Sequence, residues 1–432
     1  MLLITIETLQ YLKSEKMIQT RLFSLLFFFT FSFFASPAQQ SGEKVKREKL
    51  VTTVDSILQS EINNNVIPGA VIEIKKGNQI LCRQAFGYAQ RNDFNNKPLA
   101  HPEVMTTDDM FDLASLTKVV GTTTSIMLLV DRGLIKVDDP VGKYLPAFNV
   151  CDKKQITIRN LLTHTAGLIT WYPLFYKASN KQEAYQLIGE LPLAFPVSKV
   201  RRYSDLGFIL LGEIIEKISG MPLDQFDQKN IFIPLGMHHT TYNPLAKGFK
   251  KFAATSHGNP YEMRMVRDTL LGYVYKEINP DQWNGWRMYT LRGEVNDGNA
   301  WYALHGVSGH AGLFSTVDDL QKLVDMLLHK GKVGSKQFIS EKTIKLFLTK
   351  DDFKNGLGWM MDPDNSFMKN APAESFGHSG FSGTSIAVVP SLDFSVILLI
   401  NRQNMGLLPT GYYYNPNPIR RQIFDAVLDY CK

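Results

Sequence analysis

Three short motifs carry the residues of this chain whose types and spacing could do chemistry: Ser115-Leu116-Thr117-Lys118, Tyr203-Ser204-Asp205 and His378-Ser379-Gly380. A serine hydroxyl is a weak nucleophile until a neighbour takes its proton. Ser115 and Lys118 are three residues apart, so on a helix they share a face with Cβ atoms about 5–6 Å apart. The lysine stem can then reach the serine oxygen. Lysine acts as a base when its pKa falls from about 10.4 toward neutrality, which burial and nearby positive charge achieve. A depressed Lys118 is therefore the expectation. Tyr203 precedes the apolar run Leu206 to Ile215, which suits a loop entering a cleft, where a phenol could relay a proton between Ser115 and a leaving group. The chemistry these residue types permit is acyl transfer through a serine.

Singly the motifs are weak. S-x-x-K also occurs at Ser41–Lys44, in a charged stretch, and Y-x-[ND] recurs at Tyr413–Asn415 inside a Tyr/Pro/Asn loop, whereas H-[ST]-G occurs once. The ordered triple with apolar flanks is far more specific. Met110 to Ala114 is largely apolar, and Val119 to Leu129 reads as a buried helix with the nucleophile at its N-terminus, where a backbone N–H can face a developing oxyanion.

Together the motifs resemble the penicillin-recognising serine hydrolases, in the branch of class C β-lactamases, D,D-peptidases and related esterases. Leu161-Leu162-Thr163-His164-Thr165-Ala166-Gly167-Leu168, Gly133 to Val141, Pro234-Leu235-Gly236-Met237, Gly309 to Ser315 and Gly356-Leu357-Gly358-Trp359 are similar to further landmarks of that family, over about residues 50 to 430. The resemblance implies Ser115 as nucleophile, Lys118 and Tyr203 sharing its proton, and an oxyanion hole from the N–H groups of Ser115 and Phe381. It places Asp205, His378, Ser379 and Gly380 around the substrate.

Two departures bear on substrate. His378 stands where β-lactamases proper carry lysine, a fixed cation that grips a carboxylate. A histidine with a pKa near 6.5 is mostly neutral at pH 7, and its protonation between pH 8 and 6 is expected to tune selectivity for anionic substrates. Asp205 stands where asparagine is usual. A carboxylate accepts hydrogen bonds but donates none, so it suits Lys118 better than a substrate carbonyl. The expected function is thus a serine hydrolase of ester, amide or peptide bonds, D,D-carboxypeptidase-like or esterase-like, with efficient β-lactamase action disfavoured. The alternative is a penicillin-binding sensor or a non-catalytic binding protein on the same fold. The expected partner is a small molecule or a peptidoglycan-like peptide.

Of 432 residues, 20% are charged and 44% hydrophobic, ordinary for a globular protein, and the net charge of +6 comes without a basic block that would indicate nucleic acid. Arg21 precedes fourteen uncharged residues, Leu22 to Ala35, and Ser36-Pro37-Ala38 supplies small residues at a cleavage site, so residues 1–38 read as an export signal with Met17 the more natural start. The expected location is periplasmic or extracellular, with a transient membrane association through that segment, and the alternative is a membrane anchor formed by the uncleaved signal. Cys82, Cys151 and Cys431 are too few for a disulfide framework. His238 and His239 are adjacent and point apart, so no metal and no cofactor are expected. His164 and His310 read as loop-bracing, Arg201 and Arg202 as mainly solvated with binding of an acidic substrate end as the alternative, and Trp359 as a pocket wall or core residue.

These residues need a frame. Residues 47–65 carry Leu50, Val54, Leu58 and Ile62 at four-residue intervals, an amphipathic helix. Residues 70–74 and 79–89 read as strands joined through Lys76-Gly77-Asn78. Strands return at 384–390 and 394–400, a helix closes the chain at 417–430, and a mainly helical lobe covers about 130–370. The expected architecture is α/β of the α+β kind: an antiparallel sheet from both chain ends, flanked by helices, over residues 39–432.

Overall fold

Leu50, Val54, Leu58 and Ile62 are all buried along one side of helix α1 (Pro37–Asn63), as their spacing requires. The computed structural model describes residues 37–150, 152–362, 364 and 366–431. The expected export signal, save Pro37 and Ala38, and Cys151 lie outside them. Strands β1 (Gly69–Lys76) and β2 (Gln79–Asn92) form the expected hairpin, with Gly77 supplying the positive φ its turn requires. Strand β3 (Pro98–Val104) continues beyond β2.

The C-terminal part of the chain supplies β9 (Phe376–Ser379), β10 (Ser385–Val389) and β11 (Phe394–Ile400), giving one antiparallel sheet in the order β3-β2-β1-β11-β10-β9. Ala70 faces Ile400 and Ile74 faces Val396 across the seam joining the two chain ends. Successive side chains of a strand point to opposite faces, so the continuous apolar run of β11 serves two cores. Val396, Leu398 and Ile400 meet α1 and α6 (Asn417–Cys431), while Ile397 and Leu399 belong to the core shared with the helical region. Truncating a fully buried residue such as Leu58 to alanine removes about 2–5 kcal/mol.

The helical region contains α2 (Thr124–Asp131), α3 (Asp205–Ser219), α4 (Pro260–Met265) and α5 (Val317–Leu328). It is not purely helical. A small sheet of β4 (Phe111–Asp112), β5 (Thr241–Tyr242) and β6 (Leu313–Ser315), ordered β4-β6-β5, sits within it, and a short hairpin of β7 (Lys332–Val333) and β8 (Lys336–Gln337) follows α5. Two- and three-residue strands are too short to leave a period-two signature. The small sheet nevertheless matters, because β4 delivers the chain to Ser115.

Candidate active site

Asp112 ends β4, and within three residues the chain reaches Ser115 through a tight turn. Ala114 holds φ +45°, the left-handed region that a side chain with Cβ rarely enters, at a typical cost of about 1–3 kcal/mol. The Asp112 carboxylate secures the turn by accepting the Ala114 N–H at 2.8 Å and the Asn296 N–H at 2.7 Å, and burial pushes its carboxyl up to about 6. The expected regular helix after Ser115 is different in detail. A 3₁₀ turn at Ala114–Leu116 runs into a π-helix at Lys118–Thr123 before α2 begins. Wide turns of this kind gather at functional sites because they re-aim side chains within a helix.

Lys118 is fully buried and its ammonium has three neighbours: Ser115 Oγ at 3.0 Å, the His310 carbonyl at 3.0 Å and an Asp205 carboxylate oxygen at 2.7 Å. The expected depression of its pKa is overturned. Burial alone draws it down, but the charge of Asp205 and then Tyr203 outweigh burial and hold it above the ordinary lysine value. The resting site therefore contains an ammonium, paired with the carboxylate that replaces the family's usual asparagine. Tyr203 packs with its ring centroid 5.1 Å from that ammonium. Burial raises the phenol, and Lys118 together with a hydrogen bond from Ser115 opposes the rise without cancelling it. Both proton carriers are thus protonated at rest.

The Tyr203–Asp205 segment is pinned from one side. The Ser204 N–H donates to His164 Nδ1 at 3.1 Å, the Ser204 hydroxyl to the Ile169 carbonyl at 2.6 Å, and the Asp205 N–H to the Thr170 carbonyl at 3.0 Å. His164 also stacks on Tyr203 at 4.4 Å, so it braces the loop. Asp205 then opens α3, where a carboxylate faces the positive end of the helix dipole.

On the other side, β9 runs beside the nucleophile turn. A Cβ on Gly380 would lie 2.3 Å from the Leu113 carbonyl and 2.2 Å from Thr384 Oγ1, so glycine is what permits this approach. Ser382 and Thr384 clamp it by donating to the carbonyls of Asp112 and Leu113 at 2.6 and 3.1 Å. Ser379 pairs with Ser385 and His378 with Ile386 in the sheet. The expectation that His378 titrates between pH 8 and 6 fails. Burial, with Lys118 and Arg201 adding repulsion, drives its pKa down to about 3, and the imidazole stays neutral. Arg201, expected to be solvated, is partly buried near this histidine, and burial lowers its pKa. Trp359 is core, packed edge-on against Phe376 at 5.1 Å.

Two cavities meet at Ser115 and Tyr203. One, of about 360 Å³, is lined by His378 to Phe381 and by Arg402, Asn415, Asn417 and Arg420. Burial lowers Arg402 to about 10 and Arg420 to about 9, which leaves both cationic at neutral pH. Arg402 donates to the Phe381 and Tyr414 carbonyls, and Arg420 to Asn417 Oδ1 and the Thr384 carbonyl. These arginines were missed, for Arg402 lies in a short 3₁₀ turn after β11 and Arg420 in the terminal helix α6, on either side of the second Y-x-N match. The other cavity, of about 240 Å³, is lined by Trp171, Tyr261, Tyr273, Glu262, Asn296, Asp297 and His310 among others. His310 Nε2 lies 2.9 Å from Asp297 and its Nδ1 2.6 Å from the Ser308 hydroxyl, a brace built into the site floor. Asp205, Asp297 and His310 bring ligand atoms within 4.8 Å of one another. Asp205 is already engaged by Lys118, and Asp297 by His310. Nothing in the spacing of 259–297 separates these residues from an ordinary loop.

A family model described as Beta-lactamase matches residues 54–413. The chain belongs to the Beta-lactamase family. It is 32% identical over 404 residues to an N-acetylmuramyl-L-alanine amidase of Bacillus subtilis, covering 89% of this chain and 86% of that one. It is 33% identical over 417 residues to a Salmonella agona protein provisionally named a D-alanyl-D-alanine carboxypeptidase, covering 88% and 91%. A class C β-lactamase from Rhodobacter sphaeroides shares the fold at a TM-score of 0.62 and 20% identity, over 87% of this chain and 99% of that one. Membership of this family and its named relatives make the protein a hydrolase of the β-lactamase and penicillin-binding fold.

Proposed function

We propose that the protein is an exported serine hydrolase that cleaves amide bonds of cell-wall-type peptides through an acyl-enzyme on Ser115, releasing as amine the carboxy-terminal fragment, which bears a carboxylate. The observation that carries this reading is the convergence of Ser115, Lys118, Tyr203 and Asp205 between two cavities, one of them walled by Arg402 and Arg420. Both relatives carry names that denote amide cleavage, the second provisionally, which supports the same bond type here.

The protonation pattern supports one route for the proton. With Lys118 charged and Tyr203 neutral, no strong base waits at rest. Ser115 attacks the carbonyl carbon as its proton passes to the Tyr203 oxygen. Tyr203 gives its own proton to the departing nitrogen, and the Lys118 ammonium stabilises the charge gathered on the phenol oxygen. The C–N bond breaks, leaving an ester on Ser115 and a free amine. Water then adds by the reverse relay and restores the serine. The N–H groups of Ser115 and Phe381 serve the oxyanion; among the described residues neither donates to a main-chain carbonyl. One such donor contributes about 10²–10³ in rate. The Arg402 and Arg420 wall suits the carboxylate of the leaving amino acid, in place of the lysine that His378 replaces.

The test is covalent labelling with a fluorophosphonate or penicillin-type probe, followed by turnover of a D-alanyl-D-alanine peptide, a muramyl-alanine amide and a nitrophenyl ester. Labelling mapped to Ser115, lost in Ser115→Ala, with steady hydrolysis of an amide, is expected. A burst without turnover would identify a sensor, and labelling that survives in Ser115→Ala would refute the mechanism.

A further inference from the structure

We propose that the cavity walled by Arg402 and Arg420 is a subsite for a leaving group with two carboxylates, so that the amine released from the scissile bond is an acidic amino acid. This rests on the acyl-enzyme reading above and specifies the leaving side of its substrate.

The charge of the cavity decides its chemistry. Its lining holds two guanidinium groups and no aspartate or glutamate, and His378 adds no charge. Lys118 is already matched by Asp205. The arginines are not: among the described residues every hydrogen bond they donate goes to a carbonyl or to the amide oxygen of Asn417. The ionisable groups that act on Arg402 are two phenols, Tyr413 and Tyr261, and the group that acts on Arg420 is Arg402 itself. The two cations repel each other, and Arg420 is 6% exposed. A buried charge without a partner is expensive. One bound carboxylate would leave the second cation uncompensated, whereas two match both.

The free donors point the same way. A guanidinium carries five N–H groups and no acceptor. Arg402 commits three of them and Arg420 two. Arg420 Nε is shielded from solvent and has no hydrogen-bond partner. Asn415 and Asn417, also in the lining, use their amide oxygens within the protein, accepting from the Asn417 N–H at 3.1 Å and from Arg420 at 2.9 Å. That leaves their NH₂ ends as donors. Carboxylate oxygens accept and do not donate, so they complement this lining.

The anchors of the arginines separate the two charges. Arg402 is tied to the carbonyl of Phe381 and Arg420 to that of Thr384, at the two ends of the turn that follows β9. Phe381 also bears an oxyanion N–H in the reading above, so Arg402 stands beside the scissile bond and suits the α-carboxylate. Arg420, on α6, suits the carboxylate of the side chain. A phosphate would gather both charges on one centre, and a residue with two carboxylates spreads them.

The experiment compares kcat/KM of the full chain for two amides with the same acyl group, one releasing glutamate and the other glutamine, which differ in charge and hardly in size. Both are made with L and with D leaving residues, and the ratio is taken within a configuration. From the usual strength of hydrogen bonds to charged groups, glutamate should be favoured about 10- to 100-fold in the configuration the site accepts. The ratio should fall toward one in Arg420→Gln and recover in part in Arg420→Lys. Calorimetric binding of free glutamate and glutamine to Ser115→Ala tests the subsite without catalysis and with both arginines in place, and glutamate should bind about tenfold or more tightly. A ratio near one in both configurations, or equal binding of the two amino acids, would overturn the proposal. So would inorganic phosphate that displaces glutamate at equal concentration, since it would show a single dianionic centre. Preferential glutamate binding to Ser115→Ala, in a protein whose serine takes no probe, would instead remove the mechanism and leave the subsite standing.

Discussion

Replacing Asp205 by asparagine isolates what its carboxylate does for Lys118. The two charges lie 2.7 Å apart, with the lysine side chain fully buried and that of Asp205 18% exposed. Asparagine keeps the shape and removes the charge, so the ammonium is left with the Ser115 hydroxyl and the His310 carbonyl. Breaking a buried pair from one side typically destabilises by about 3–5 kcal/mol, because the remaining ion is uncompensated. The pH dependence is the sharper readout. In the wild type the folded pKa of Lys118 lies above its unfolded value. Its contribution is therefore complete below about pH 10.4 and lost only as pH rises through the folded value, so between pH 6 and 9 this group adds no slope. In Asp205→Asn burial prevails and the folded pKa falls below the unfolded one. The unfolded chain then binds more protons, and stability rises with pH, by up to about 1.4 kcal/mol per unit, between the two pKa values. Urea unfolding of both proteins from pH 6 to 10 measures this. A double variant, Lys118→Met with Asp205→Asn, should recover most of the loss, since no buried charge remains. A single variant as stable as the wild type, with the same flat profile, would refute the claim that Asp205 keeps the lysine charged.

Further expectations follow from the same geometry. Tyr203→Phe keeps the ring over Lys118 and removes the relay oxygen, so turnover should fall by about 10²–10⁴; near-normal turnover in a steady-state assay would place the relay elsewhere. Because His378 stays neutral above its pKa of about 3, the ratio of kcat/KM for a carboxylate-bearing amide to that for a neutral ester should not follow a pKa near 6.5 between pH 8 and 6, and a step there would contradict its burial. Arg420→Ala should raise KM for carboxylate-bearing substrates more than for a neutral ester, and an equal change for both would detach the arginine from recognition. Gly380→Ala should destabilise by about 1–3 kcal/mol, the usual range for overpacking, and should uncouple β9 from the serine turn, measured as a loss of probe labelling that exceeds the loss of folded protein.

How much of this was legible in the residues depends on the distance over which the information is stored. Leu50, Val54, Leu58 and Ile62 announce α1 because a helix writes its buried face into a four-residue interval, and the β11 run announces a strand buried on both faces. Ser115 and Lys118 were recognisable for the same reason: three residues of spacing already fix their contact. The protonation state was not recognisable, because it depends on which charge approaches from elsewhere. Burial of Lys118 alone points to a depressed pKa, and only the arrival of Asp205, 87 positions away and held by the His164 and Thr170 loop, reverses the sign. His378 errs in the opposite sense, since no local signal says that the imidazole will be buried, with Lys118 and Arg201 adding repulsion. Arg402, Arg420, Asn296 and Asp297 belong to segments whose spacing looks like loop or surface helix, and they become a site only because the chain ends close one sheet and the 259–297 stretch folds over the serine turn. Nucleophile chemistry here is local and so can be read along the chain. Selectivity depends on charges and surfaces brought together across the fold, and that part had to be seen in three dimensions.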